Sequence, residues 1–78
     1  MDELHALLEA KRVAGSQAKL AQLCRKPNGR PVSQPAVWGW IHKLRRLPAD
    51  YVLDVEAGTG VSRHALRPDI YPQERTHA

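Results

Sequence analysis

The chain has 78 residues, a formal net charge of +4 and one cysteine. That length builds a single small domain with a marginal core, to which a second copy would add buried area. One cysteine excludes an intrachain disulfide and suits a reducing compartment. No apolar run approaches a membrane span, and the first residues lack the apolar core of a signal peptide, so a cytoplasmic protein that makes no use of a membrane is expected.

Charge is unevenly spread. All eight acidic residues lie outside positions 10–49: Asp2, Glu3 and Glu9 before, Asp50, Asp54, Glu56, Asp69 and Glu74 after. Inside that window stand Lys11, Arg12, Lys19, Arg25, Lys26, Arg30, Lys43, Arg45 and Arg46. A contiguous region of one sign is an electrostatic footprint for a polyanion, nucleic acid above all; the plain alternative is a solvated basic face.

The first helix is expected over 2–14. Asp2 and Glu3 suit its N-terminus and Lys11 and Arg12 its C-terminus, Leu4, Leu7, Leu8 and Ala14 form the apolar stripe with Val13 off it, and Gly15 stops it. Ser16 caps a second helix over 17–24, where Leu20, Leu23 and Cys24 share a face and Ala21 permits close approach. Gln17 at its start can donate to a phosphate or be an ordinary surface residue. Cys24 reads as a small buried hydrophobe rather than a nucleophile or ligand.

Residues 25–32 form a basic loop. Pro27-Asn28-Gly29 predicts a β-turn, Arg25, Lys26 and Arg30 can line a phosphate backbone or simply solubilise the tip, and Val32 packs inward. The third helix is expected over 34–46, with Ser33 as N-cap and Pro35 in its first turn. Val37, Trp40, Ile41 and Leu44 fall at i, i+3, i+4 and i+7 and mark the buried stripe. The opposite face carries Pro35, Trp38, Gly39, His42, Lys43 and Arg46, with Gln34 at its edge and no carboxylate. An amide, a flat aromatic, bare backbone and cations suit the major groove, where Gln pairs with adenine and Lys or Arg reaches guanine or phosphate. Arg45 and Arg46 serve the helix C-terminus, a phosphate, or both.

Pro48 opens a fourth helix over 49–57, packed through Val52, Leu53 and Val55, ended by Gly58 and Gly60, and presenting acids away from DNA or toward another subunit. Ser62 caps a fifth over 63–67, stopped by Pro68. Asp69-Ile70-Tyr71-Pro72 is expected to be extended, with Ile70 and Tyr71 closing the core or meeting a partner, and 73–78 to be a flexible tail behind a single domain of 1–72. His5, His42, His64 and His77 are scattered, with no metal-site spacing and no pairing with Cys24. No enzyme, metal or cofactor is expected; His42 reads as an outward polar residue and His64 as first-turn surface.

The run of helix, Gly15-Ser16-Gln17, Leu20-Ala21, turn, then Val32-Ser33-Gln34-x-Ala36-Val37-x-x-Trp40 is a helix-turn-helix signature. With Pro48-Ala49, Ala57-Gly58-Thr59-Gly60-Val61-Ser62-Arg63 and Leu66-Arg67-Pro68-Asp69-Ile70-Tyr71-Pro72, it closely resembles the Cro-like repressors of lambdoid prophages, in particular the YdaS/DicC-type family. The resemblance covers roughly residues 4–72. It implies an all-α, four- to five-helix, lambda-repressor-like domain that binds double-stranded operator DNA as a homodimer and represses transcription. It also implies base reading from Gln34 and from the positions held by Trp38, Gly39 and His42, and a phosphate clamp at Gln17. Some relatives are antitoxin-like. Two departures stand out: the usual tight turn is opened by insertion of residues 26–31, and Trp38 and Gly39 replace small polar and cationic residues.

Together these readings predict a sequence-specific regulator of a phage or prophage operon, associated with the nucleoid. Base contacts come from Gln34, Trp38, Gly39, His42 and Lys43. Phosphate contacts come from Gln17, Lys19, Arg25, Lys26, Arg30, Arg45 and Arg46. The alternative is an antitoxin-like module that holds a toxin through Leu66–Tyr71 and autoregulates.

Overall fold

The computed structural model describes residues 2–72; the tail expected at 73–78 lies outside them. These residues form α1 (Glu3–Ala14), α2 (Gln17–Leu23), α3 (Gln34–Gly39), α4 (Val52–Thr59) and α5 (Arg63–Leu66). A π-helical turn (Trp40–Leu44) continues α3, and a 3₁₀ turn (Ala49–Tyr51) leads into α4. The fold is the expected small all-α domain of helix-turn-helix type, and no described helix is long and apolar enough to cross a membrane.

Local chemistry sets the starts. The Asp2 carboxylate accepts from the His5 amide at 2.7 Å, Ser16 Oγ from Lys19 at 3.1 Å, Ser33 Oγ from Ala36 at 3.4 Å and Ser62 Oγ from His64 at 3.1 Å. Each cap satisfies an amide that a first helical turn leaves without a partner.

The core gathers one stripe from every element: Ala6, Leu7 and Ala10 from α1, Leu20 and Ala21 from α2, Val37, Trp40 and Ile41 from α3 and its extension. Val52 and Val55 come from α4, Leu66 from α5, and Cys24, Val32 and Leu47 from the connections. Tyr51 stacks on Trp40, centroids 5.1 Å apart at 27°, a geometry worth about 0.5–1.5 kcal/mol beyond the buried area. Inside α4, a Cβ on Gly58 would stand 2.8 Å from Leu23 Cδ1, so α4 lies close over α2 at that point.

Several expectations are corrected. The third helix ends at Leu44, not 46: the Arg45 amide donates to the Trp40 carbonyl, the Arg46 amide does so at 3.2 Å, and Arg45 is left-handed at φ 58°. The π turn advances each residue by less than the usual 100°, which rotates Leu44 off the buried stripe to 58 % exposure, and Leu47 supplies the buried side chain instead. Leu53, about 100° round the helix from Val52, is half exposed, and Leu8 lies at the margin of the α1 stripe. α4 runs through Gly58 and stops at Gly60, whose φ of 79° suits glycine.

The segment after α5 turns rather than running extended. The amides of Ile70 and Tyr71 donate to the Arg67 carbonyl at 3.2 and 2.9 Å, which lays Tyr71 against the core. His64, expected as plain surface, is half-buried and its Nδ1–H donates to the Tyr71 carbonyl at 2.8 Å. Arg67 fastens this end to the rest. Its guanidinium grips both Asp69 oxygens at 2.9 and 2.8 Å and donates to the Leu47 carbonyl at 3.0 Å. Arg46 joins the same cluster, 3.2 Å from Glu3 and 3.5 Å from Asp69.

Two expected outcomes follow from these contacts. The hydrogen bonds from Arg67 hold the Asp69 carboxyl at about 2, below its ordinary value. A depressed folded-state pKa contributes stability that is complete above the unfolded value near 4 and is lost as pH falls through about 2. Urea midpoints measured from pH 5 to pH 2 should therefore drop on acidification, and Asp69→Asn should lower the midpoint at pH 5 and flatten the decline. Arg45→Gly should raise stability by about 0.5–1 kcal/mol, since glycine relieves the left-handed strain at a smaller entropic cost; the urea midpoint at neutral pH checks it.

Candidate nucleic-acid interface

Between α2 and α3 the chain does not wander. Cys24 and Val32, both buried, bracket the insertion, and the Val32 amide donates to the Cys24 carbonyl at 3.0 Å. Arg25 and Pro31 pair as an isolated antiparallel bridge, and the Lys26 amide donates to the Arg30 carbonyl at 2.8 Å. Pro27-Asn28-Gly29 closes a three-residue hairpin loop. The Gly29 amide reaches the Lys26 carbonyl at 2.8 Å, the Asn28 side chain accepts from the Arg30 amide at 3.0 Å, and Gly29 has φ 84°. The expected β-turn is therefore the tip of a small basic hairpin that stands clear of the core.

Asp54 on α4 fixes the root of this hairpin: its Oδ2 accepts from the Arg25 amide at 3.1 Å. The sequence offers Asp54 only as part of an acidic surface, because its partner lies 29 positions away and no local pattern reveals the contact. Burial, then the Asp54 charge, pushes the neighbouring Cys24 thiol up to about 12, so it remains a neutral core side chain.

Apart from Lys11, half-buried on α1 and in no ion pair of the described residues, the described lysines and arginines divide into two populations. Among the described residues, Arg12 pairs with Glu9, Arg63 with Glu56, Arg67 with Asp69, and Arg46 with Glu3 and Asp69. Lys19, Arg25, Lys26, Arg30, Lys43 and Arg45 appear in none of the ion pairs of the described residues, and all six side chains are exposed. These six lie on the continuous unit of α2, hairpin, α3 and its extension. The structure does not bring Arg46 into that set, because the early helix end turns it into the cluster with Glu3.

On the outer face of α3, Gln34, Trp38, His42 and Lys43 are exposed, and the space where a Gly39 side chain would stand is open. Trp38 is 46 % exposed and its ring centre lies 4.6 Å from that of His42, one helical turn on. Gln17, Gln34, Pro35 and Trp38 line one open groove of about 330 Å³. The starts of α2 and α3 thus meet at a shared surface, with Gln17 and Gln34 on a single depression although 17 positions apart in sequence.

A family model described as bacterial toxin YdaS matches residues 7–75. The chain belongs to the YdaS family. No curated protein and no solved structure matches it significantly. The match spans the hairpin as well as the helices on either side of it.

The two tryptophans of this YdaS-family protein should report the geometry. Trp40 is 6 % exposed and Trp38 largely open. Acrylamide should quench the wild-type emission in two classes, and Trp38→Phe should remove the accessible class and leave a blue-shifted, protected signal.

Proposed function

We propose that this protein is a sequence-specific DNA-binding regulator, a Cro-like repressor of a phage or prophage operon, that lays α3 and its extension in the major groove. The partition of its cations carries this reading. Four arginines are neutralised by internal carboxylates, while six lysines and arginines on the α2–hairpin–α3 unit are left for an external polyanion. A surface with that much unpaired positive charge around a carboxylate-free helix face is suited to a phosphate backbone.

Gln34 reads adenine through its amide, Trp38, Gly39, His42 and Lys43 meet neighbouring base edges, and Gln17, Lys19, Arg25, Lys26, Arg30 and Arg45 hold phosphates on either side. One reading helix covers a half-site, so the working form is a homodimer on a two-fold operator. The role assigns no catalytic residue and no cofactor, and places the protein in the cytoplasm with the nucleoid.

The family's description as a bacterial toxin favours a second reading, a toxin–antitoxin locus in which Leu66–Tyr71 binds a protein partner. In that segment Leu66 is buried and Tyr71 packs on the core, which leaves Ile70 as the exposed apolar contact. A partner captured from the native host by the wild type and lost with Ile70→Asp would support it.

Fluorescence anisotropy on duplex DNA from upstream of the gene, against an unrelated duplex across several salt concentrations, tests the main reading. Tighter binding to the upstream DNA with a steep salt slope is expected; equal, weak binding to both overturns it. Gln34→Ala should cost about 1–3 kcal/mol on the preferred sequence. Lys26→Ala should weaken binding to every sequence and flatten the salt slope by about one unit.

A further inference from the structure

The groove between α2 and α3 combines features that phosphate binding does not need. Its lining is uncharged: two amides, Gln17 and Gln34, and two apolar rings, Pro35 and Trp38. Its volume of about 330 Å³, open to solvent, admits the edge of a base rather than a small ion alone. Trp38 leaves nearly half its surface in water, and the His42 ring 4.6 Å away braces it there instead of covering it with core. Pro35, in the first turn of α3, adds a second rigid apolar surface. Around this neutral pocket, α2, the hairpin and α3 with its extension carry six exposed cations that appear in none of the described ion pairs.

We infer that this groove reads the C5-methyl group of a pyrimidine in duplex DNA, with the methyl held against Pro35 and Trp38, the Gln34 amide available to the polar edge of the same or the adjacent base pair, and Gln17 at the groove's rim toward the phosphate it holds. In the major groove the C5-methyl is the one apolar patch that a base pair presents, and it distinguishes thymine from cytosine. An apolar concavity framed by cations fits that patch on a polyanion, and charge complementarity of the surroundings selects DNA as the occupant over a second copy of this basic chain. Thymine and 5-methylcytosine share the group. The inference rests on the DNA-binding reading and adds to it which chemical feature of the base is recognised, and by which side chains.

The experiment uses the full-length protein and the upstream duplex, with each thymine in turn replaced by deoxyuridine, which removes the methyl and nothing else. One thymine per half-site should show binding weakened about fourfold, the factor that burial of one methyl is worth. At that position 5-methylcytosine should bind about fourfold tighter than cytosine, which separates the methyl from the rest of the base. In Trp38→Ala the deoxyuridine penalty should vanish, and Pro35→Ala should reduce it. The wild-type comparison alters only the DNA and so does not depend on how any variant folds.

Sequence-selective binding with no deoxyuridine penalty at any thymine overturns the methyl inference and leaves the DNA-binding reading standing. Loss of all sequence preference overturns both. A penalty that persists undiminished in Trp38→Ala and Pro35→Ala assigns the methyl to another surface and overturns the groove assignment. A change of oligomeric state in Trp38→Ala, with no deoxyuridine effect in the wild type, assigns the groove to a second copy and also overturns it.

Discussion

The hydrogen bond from the Val32 amide to the Cys24 carbonyl is the constraint on which the surface of this protein depends. It draws the end of α2 and the start of α3 together across the insertion, so that the added residues leave the body of the fold as a hairpin. On either side of the bond, Cys24 and Val32 are buried among the helices, and the Asp54 carboxylate holds the next amide along, that of Arg25. A flexible loop of the same length would let α2 and α3 settle at many separations. The closed hairpin instead keeps Gln17 and Gln34 on one groove and carries three cations outward on a short, hydrogen-bonded scaffold. Much of the ordering cost that a loose basic loop would meet on binding is thereby met in folding.

The other carboxylates work among α1, α4 and the exit from α5. Asp69 and Glu3 gather Arg67 and Arg46 where α1, the exit from α3 and the exit from α5 converge, and Glu56 holds Arg63 through both its guanidinium and its amide. The Arg46 and Arg63 pairs are partly exposed and contribute modestly to stability, whereas the Arg67 side chain is mostly covered. The larger consequence of these pairs is positional. Arginine charge on α1, on α5 and at the exits from α3 and α5 is cancelled, while the charge along α2, the hairpin and α3 is retained. A formal charge of only +4 can in this way present a strongly one-signed face.

Helix number, helix order, the three serine caps and most of the core were legible in the amino-acid sequence, and the Asp2 cap, read there only as an acidic residue suited to the helix start, rests on the same kind of interaction within a few residues. Asp2, Ser16, Ser33 and Ser62 bond to amides two or three positions away, and the spacing of Val37, Trp40 and Ile41 marks a buried stripe whatever packs on it. The YdaS-type resemblance was equally local, carried by short runs around Gln17, Gln34 and the ending after Pro48, and the family match over residues 7–75 agrees with it. The face of α3 from Gln34 to Lys43 followed from the same periodicity.

Short-range chemistry along the chain was enough to set which segments become helices, which stripe of each is apolar and where cations accumulate. Where α3 stops was decided in the folded chain, in which a π turn and a left-handed Arg45 end the helix beside the Trp40–Tyr51 stack and the buried Leu47. Tertiary structure alone paired Arg46, expected as a phosphate contact, with Glu3 and Asp69 from the two ends of the domain. It also converted a loop with six extra residues into a tethered hairpin, through a carboxylate 29 positions from the amide it holds. The physical reason is common to the last two: these outcomes rest on contacts between residues far apart in the chain, and neither periodicity nor capping chemistry carries information over that distance.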